Sequence, residues 1–165
     1  MPNSIIPHGA LVLVGDGARV LFLRNRGTAF DLKLAVENVL EQQNPPTREQ
    51  GTDKPGRYSG SPGTPQSAFD TTDWHQLAED RFAAEIADAL YRLAHANRFK
   101  DLVVIAPPKV LGTLRKAFHK EVVDRIREEI PKELTTHRVQ EIERLLGAVG
   151  KRRRREVAVW RPAAR

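Results

Sequence analysis

A chain of 165 residues, 40% of them hydrophobic, is the size of one ordinary domain and can build a core without a metal or a disulfide. The absence of cysteine excludes disulfides, thiol catalysis and cysteine-ligated zinc, and none of the five histidines falls in an H-x-x-x-H spacing. Seven of the 27 cations and one of the 21 anions lie in residues 151–165, leaving 20 of each in 1–150, so the net charge of +6 belongs to the C-terminal tail.

Residues 8–14 and 18–24 are short apolar runs on either side of Asp16-Gly17, a strong hairpin signal. A third strand is predicted over 30–36, where Phe30, Leu32, Leu34 and Val36 alternate with more polar neighbours. From 44 to 72 the chain is dense in Gly, Pro, Ser and Thr, longer than the ~12–15 residues of a passive connection. A long helix is expected from Asp73, with Gln76 as capping-box partner and Phe82, Ile86, Ala89, Leu90 and Leu93 on its buried face. Residues 101–106 form the continuous apolar run of a central strand, stopped by Pro107-Pro108. A helix over 109–118 follows, then a stretch 121–130 that suits strand or helix, ended by Pro131. A last helix is expected over 136–147, with Val139, Ile142, Leu145 and Leu146 inward and Gly147 as its stop. The order predicts an α/β, ribonuclease H-like three-layer fold: a mixed five-stranded sheet, three antiparallel then two parallel strands, with flanking helices. Residues 1–147 make the domain, loop 44–72 included, and 148–165 a basic, disordered tail.

The segment LVVIAPPKVLGTLRKAF (102–118), the hairpin around Asp16–Arg19, the Gly/Pro-rich middle and Arg81-Phe82-Ala83 resemble the bacterial host attachment protein family. That family is similar in turn to the middle domain of archaeo-eukaryotic peptide-chain release factors. Those factors place a Gly-Gly-Gln loop before a long helix and use it to promote peptidyl-tRNA hydrolysis. The corresponding place here reads Gly63-Thr64-Pro65-Gln66. Thr64 and Pro65 stand between Gly63 and the glutamine, and Pro65 fixes φ near −65° where a glycine would be free. The amide N–H of Gln66 is retained, which makes it the single catalytic candidate that the resemblance implies.

Other chemistry finds little support. A two-metal nuclease needs converging carboxylates, whereas Asp16 sits at a hairpin turn as a turn-former and strand four ends without an acid. Ser59, Ser61 and Ser67 lie in no G-x-S-x-G elbow, and His75, His95, His119 and His137 suit helix-surface positions. Lys109 and Arg115, after Pro107-Pro108 at the carboxyl end of a parallel strand, can receive an anion. Alternatively the prolines end the strand, Gly112 allows close packing and Arg115 pairs with a surface acid; the missing Gly-rich phosphate loop favours this second account. Lys54, Arg57 and Tyr58 give the middle loop some RNA-binding character. The run Lys151-Arg152-Arg153-Arg154-Arg155 suits nucleic acid through counterion release, or an acidic membrane surface.

No apolar run approaches the ~20 residues that cross a bilayer, and the N-terminus lacks a basic n-region, so a cytoplasmic location is expected. No metal or cofactor is expected. The leading expectation is a non-enzymatic module that binds the ribosome or structured RNA through the middle loop and arginine tail. Attachment or biofilm support through protein or membrane contacts, and release-factor-like hydrolysis, are the alternatives.

Overall fold

The computed structural model describes residues 6–42 and 68–147, the side chains of 68–74 excepted. The middle-loop residues singled out above, among them Lys54, Arg57, Tyr58, Ser59, Ser61, Ser67 and the stretch Gly63–Gln66, and the tail from 148 onward lie outside the described residues.

Strands β1 (Leu11–Gly15) and β2 (Arg19–Asn25) form the expected antiparallel hairpin, Leu11 opposite Arg24 and Gly15 opposite Val20. Asp16 makes its turn. One carboxylate oxygen accepts from the N–H groups of Ala18 and Arg19 at 2.7 Å each, and the other accepts from the Thr135 hydroxyl at 2.8 Å. Asp16 is thus the turn-former that its sequence position suggested.

Strand β3 is Leu34–Glu41, not 30–36. The residues before it form a turn in which Thr28 Oγ1 accepts from the N–H groups of Phe30 and Asp31, leaving Phe30 72% exposed. The expected alternation also fails within the strand. Phe22 pairs with Asn38 but Leu23 with Val36, so Glu37 is an extra residue. Such a bulge moves the following side chains to the opposite face. Leu34 and Val39 consequently share one core, while Val36 is 47% exposed.

Helix α1 (Ala68–His95) begins five residues before Asp73. Ser67-Ala68-Phe69-Asp70 already spells an S-x-x-D start, and Gln76 donates to Asp80 one turn on instead of capping the helix. The buried face is Phe82, Ala83, Ile86, Ala87, Leu90 and Ala94. Strand β4 (Leu102–Ala106) is wholly buried, as expected of a central strand. Helix α2 (Pro108–Ala117) follows directly, with proline at its first position, where no N–H is needed. The ambiguous stretch is both things at once: a short helix α3 (Lys120–Val123), then strand β5 (Ile126–Pro131). Residues 139–147 are helical. The start falls three residues later than expected because the Glu141 carboxylate reaches back to the N–H of Arg138, one arm of a capping box. Ile142 and Leu146 are buried there, but Leu145, expected inward, is 38% exposed.

The sheet order is β3-β2-β1-β4-β5, with β1–β2 and β2–β3 antiparallel and β1–β4 and β4–β5 parallel. This is an α/β fold, a mixed five-stranded sheet with flanking helices. The central strands feed two cores by strict alternation. Leu11, Leu13, Val20, Phe22, Leu102 and Val104 face α1, α2 and α3, and Val12, Val14, Leu21, Leu23, Val103 and Ile105 face Leu134, Ile142 and Leu146. Both faces are covered, which explains why β1 and β4 read as unbroken apolar runs.

Candidate functional site

Helices α1 and α2 leave a groove of about 630 Å³ between them. It begins at the carboxyl ends of β1 and β4, where α/β sheets commonly take ligands. Helix α1 contributes Gln76, Asp80 and Ala83, and α2 contributes Lys109, Gly112, Thr113, Lys116 and Ala117. These positions recur every three or four residues on each helix, so each lining is one helical face. Lys109 Nζ lies 2.9 Å from Glu79, and Gln76 Nε2 donates to Asp80 at 3.0 Å. The Thr113 hydroxyl donates to the Lys109 carbonyl, a bond back along its own helix. Lys116 makes no ion pair among the described residues. Two lysines thus face two carboxylates, Glu79 and Asp80, and no hydroxyl is held by a base. The groove has the makings of a balanced polar binding surface rather than of a nucleophilic centre.

Of the residues singled out in the sequence, Lys109 lines this groove and Arg115 does not. Six positions apart on a helix, they point about 120° from one another. Arg115 pairs instead with Glu129 of β5, through Nε at 2.7 Å and a second contact from Nη2. That hydrogen bond holds the Arg115 guanidinium above its usual pKa. This is the surface-acid partnership foreseen as the second account of Arg115. The packing role foreseen for Gly112 is corrected: a Cβ there would meet nothing within 4 Å, because the residue borders the open groove. Gln66 and the run Lys151–Arg155 lie outside the described residues.

Sequence reasoning missed Asp80, Thr113 and Lys116, although their helical spacing was legible. It also missed a ring cluster: Tyr91 lies 4.5 Å from His119 and 5.7 Å from His95 between ring centroids, with Asp88 and Glu121 beside the two imidazoles. Asp88, Tyr91 and His95 share one face of α1, but His119 reaches them only through the fold. Among the described residues no group of three or more His, Asp or Glu side chains is placed to hold a metal ion, and no helix is long and apolar enough to cross a membrane.

Two parallel helices packed on a mixed sheet, with a polar groove at the strand ends, define an α/β module. Comparison with known proteins places it further. The family model of bacterial archaeo-eukaryotic release factor family 12 matches residues 9–146, and the chain belongs to that family. An uncharacterized protein of Rickettsia prowazekii (strain Madrid E), RP470, is 31% identical over 88 residues, covering 52% of this chain and 59% of the relative. The chain therefore aligns with under two thirds of that relative's length. The crystal structure of the archaeal translation termination factor aRF1 is similar at 9% identity and a TM-score of 0.46, over 91% of this chain and 40% of that one.

Proposed function

We propose that this protein is a cytoplasmic, non-enzymatic binding module for the ribosome or structured RNA. The observation that carries the reading is family membership across residues 9–146. The order of strands also supports a ribonuclease H-like assignment, and the described groove supports binding over catalysis. Gly63–Gln66, just ahead of the 28-residue α1, is the loop expected to meet the RNA, and Lys151, Arg152, Arg153, Arg154 and Arg155 supply counterion release.

The test is co-sedimentation with ribosomes at low and high salt, comparing the full chain with a version ending at Gly150. Association of the full chain that weakens with salt and disappears on truncation supports the reading. Failure of both forms to sediment under any salt condition sinks it.

One observation favours a second reading. Helix α1 starts at Ala68, so Gln66 stands two residues ahead of it in the chain, closer than the expected start at Asp73 implied. This is the order of elements in release factors, and it fits peptidyl-tRNA hydrolysis assisted by the Gln66 amide. Turnover that is unchanged in Gln66→Pro, which lacks the backbone N–H, removes that role.

A further inference from the structure

The end of the sheet opposite the groove carries a different electrostatic character. Along it lie the chain segments at the start of β3, the end of β2, the approach to β4 and the start of β5. They bring Lys33, Arg24, Arg26, Arg98, Lys100, Arg125 and Arg127 to one edge, against the carboxylates of Asp31, Glu37 and Asp101. These cations outnumber the carboxylates there, even with Glu143, which accepts from the N–H of Leu34 at the start of β3, counted as a fourth. Five strands at spacings of ~4.8 Å make this edge about 19 Å long.

The central part of the edge is held rigidly. Helix α1 ends in a Schellman motif: Asn97 has φ 52°, its N–H donates to Ala94 and the N–H of Arg98 donates to Leu93, each at 2.9 Å. Phe99 is buried at 3% exposure, which leaves Arg98 and Lys100 on either side of it facing solvent. Arg24 donates to the Arg98 carbonyl at 2.9 Å, and Arg125 donates to the Phe99 carbonyl at 2.6 Å and to the Asn97 side chain at 3.2 Å. The Asp101 carbonyl accepts from Leu11. Two arginines are thus spent on backbone oxygens to fix the loop that displays two further cations. Neither Arg98 nor Lys100 has an ion-pair partner among the described residues.

Cations near a helix C-terminus favour its dipole, but within one turn. Arg26 and Lys33 lie on the strand side, beyond that reach. Arg98 and Lys100, with exposed Arg26 held only at 3.8 Å from Glu37, make a cationic row whose backbone is already fixed; it suits a phosphate backbone and gives no base readout.

We infer that this edge is a second RNA-binding surface, in the folded domain and independent of the tail, which grips the sugar–phosphate backbone through Arg26, Arg98 and Lys100. The inference rests on the RNA-binding reading above. The experiment measures anisotropy of a fluorescein-labelled RNA stem-loop with the full chain at about 50 and about 200 mM salt. Arg98→Glu/Lys100→Glu is expected to weaken binding at least tenfold, and Arg98→Ala/Lys100→Ala to lower the salt slope by about two. Lys132→Glu, an exposed change at the other end of the sheet, is expected to stay within about twofold of the parent. Both positions of the double variants are exposed, and an unchanged thermal melt confirms that they fold. If the parent binds and the double variants bind as well, the surface is wrong and the RNA reading survives. If the parent binds no RNA but sediments with phosphatidylserine vesicles, both are overturned.

Discussion

The two ends of the sheet share one backbone scaffold and differ in almost everything laid on it. At the carboxyl end the charges are matched: Lys109 sits on Glu79, Asp16 is occupied by its turn and by Thr135, and the groove between α1 and α2 stays open. At the amino end the polar groups are locked and the surplus charge is positive. Asn25, fully buried, donates to the carbonyls of Ile6, Pro7 and Thr28 and accepts from the N–H groups of Gly27 and Lys33. Arg24 binds Glu37 and two backbone carbonyls. The difference teaches that the near-neutral total of residues 1–150 conceals a separation of charge along the sheet. Polar groups hold the backbone rigid where the cations gather, and space is left where they are balanced.

The strongest way to break this contrast is to remove the amide hub. Asn25→Leu leaves three carbonyls and two N–H groups without the partner that satisfied them, and is expected to cost about 3 kcal/mol or more in urea unfolding. A loss under about 1 kcal/mol shows that water or neighbours replace it readily, and that the amino end is not held as described.

A matched pair of glycine changes sharpens the comparison next. A Cβ on Gly27 would stand 2.1 Å from the Asp31 carbonyl and 2.9 Å from the Lys33 nitrogen, both backbone atoms, so Gly27→Ala is expected to destabilise by about 2 kcal/mol. In contrast, Gly112→Ala adds a methyl to open space inside a helix and is expected to stabilise by about 0.5–1 kcal/mol. Thermal melts of the two variants shifting in the same direction contradict the assignment of a tight end and an open end.

Acid sensitivity belongs to the amino end as well. The hydrogen bond from Arg24, helped by the charges of Arg24, Arg26 and Arg98, holds the Glu37 carboxyl below its usual 4.5, with burial opposing. A carboxylate favoured by folding contributes fully above its unfolded value, and the contribution fades as pH falls through the lower folded value. The urea midpoint of the parent is therefore expected to drop on acidification below 4.5 more steeply than that of Glu37→Gln. Parallel pH profiles remove Glu37 from the account. The smallest expected effect lies at the groove: Lys109→Ala breaks an exposed pair and should change stability by under about 1 kcal/mol.

Much of the fold was legible in the chain because it rests on local rules. Asp16-Gly17 announced the hairpin, the apolar run 102–106 announced a central strand, and Pro107-Pro108 marked its end. The failures were also physical. The spelling Phe30–Val36 alternates as a strand should, but Thr28 closes a turn over its first half, and the strand starts only at Leu34 and runs on through the bulge at Glu37 to Glu41. The stretch 121–130 satisfied both periods because it contains a turn of helix and a strand in succession. At the candidate site, Lys109 was found from its place after a parallel strand. Asp80 and Lys116 were not, since a helical face gains meaning only when its neighbour is known.

The sequence by itself determined the class of fold, the central strands, the position of the tail's charge and the resemblance to release factors. These follow from periodicity, turn chemistry and motif spelling, which act over a few residues. Only the tertiary structure decided that Arg24 and Arg125 clamp the loop 97–100, that Lys109 and Arg115 part company, and that cations collect along one edge. Each of those joins residues 14 to 74 positions apart, and at such separations it is the packing of helices on a twisted sheet that determines which side chains meet.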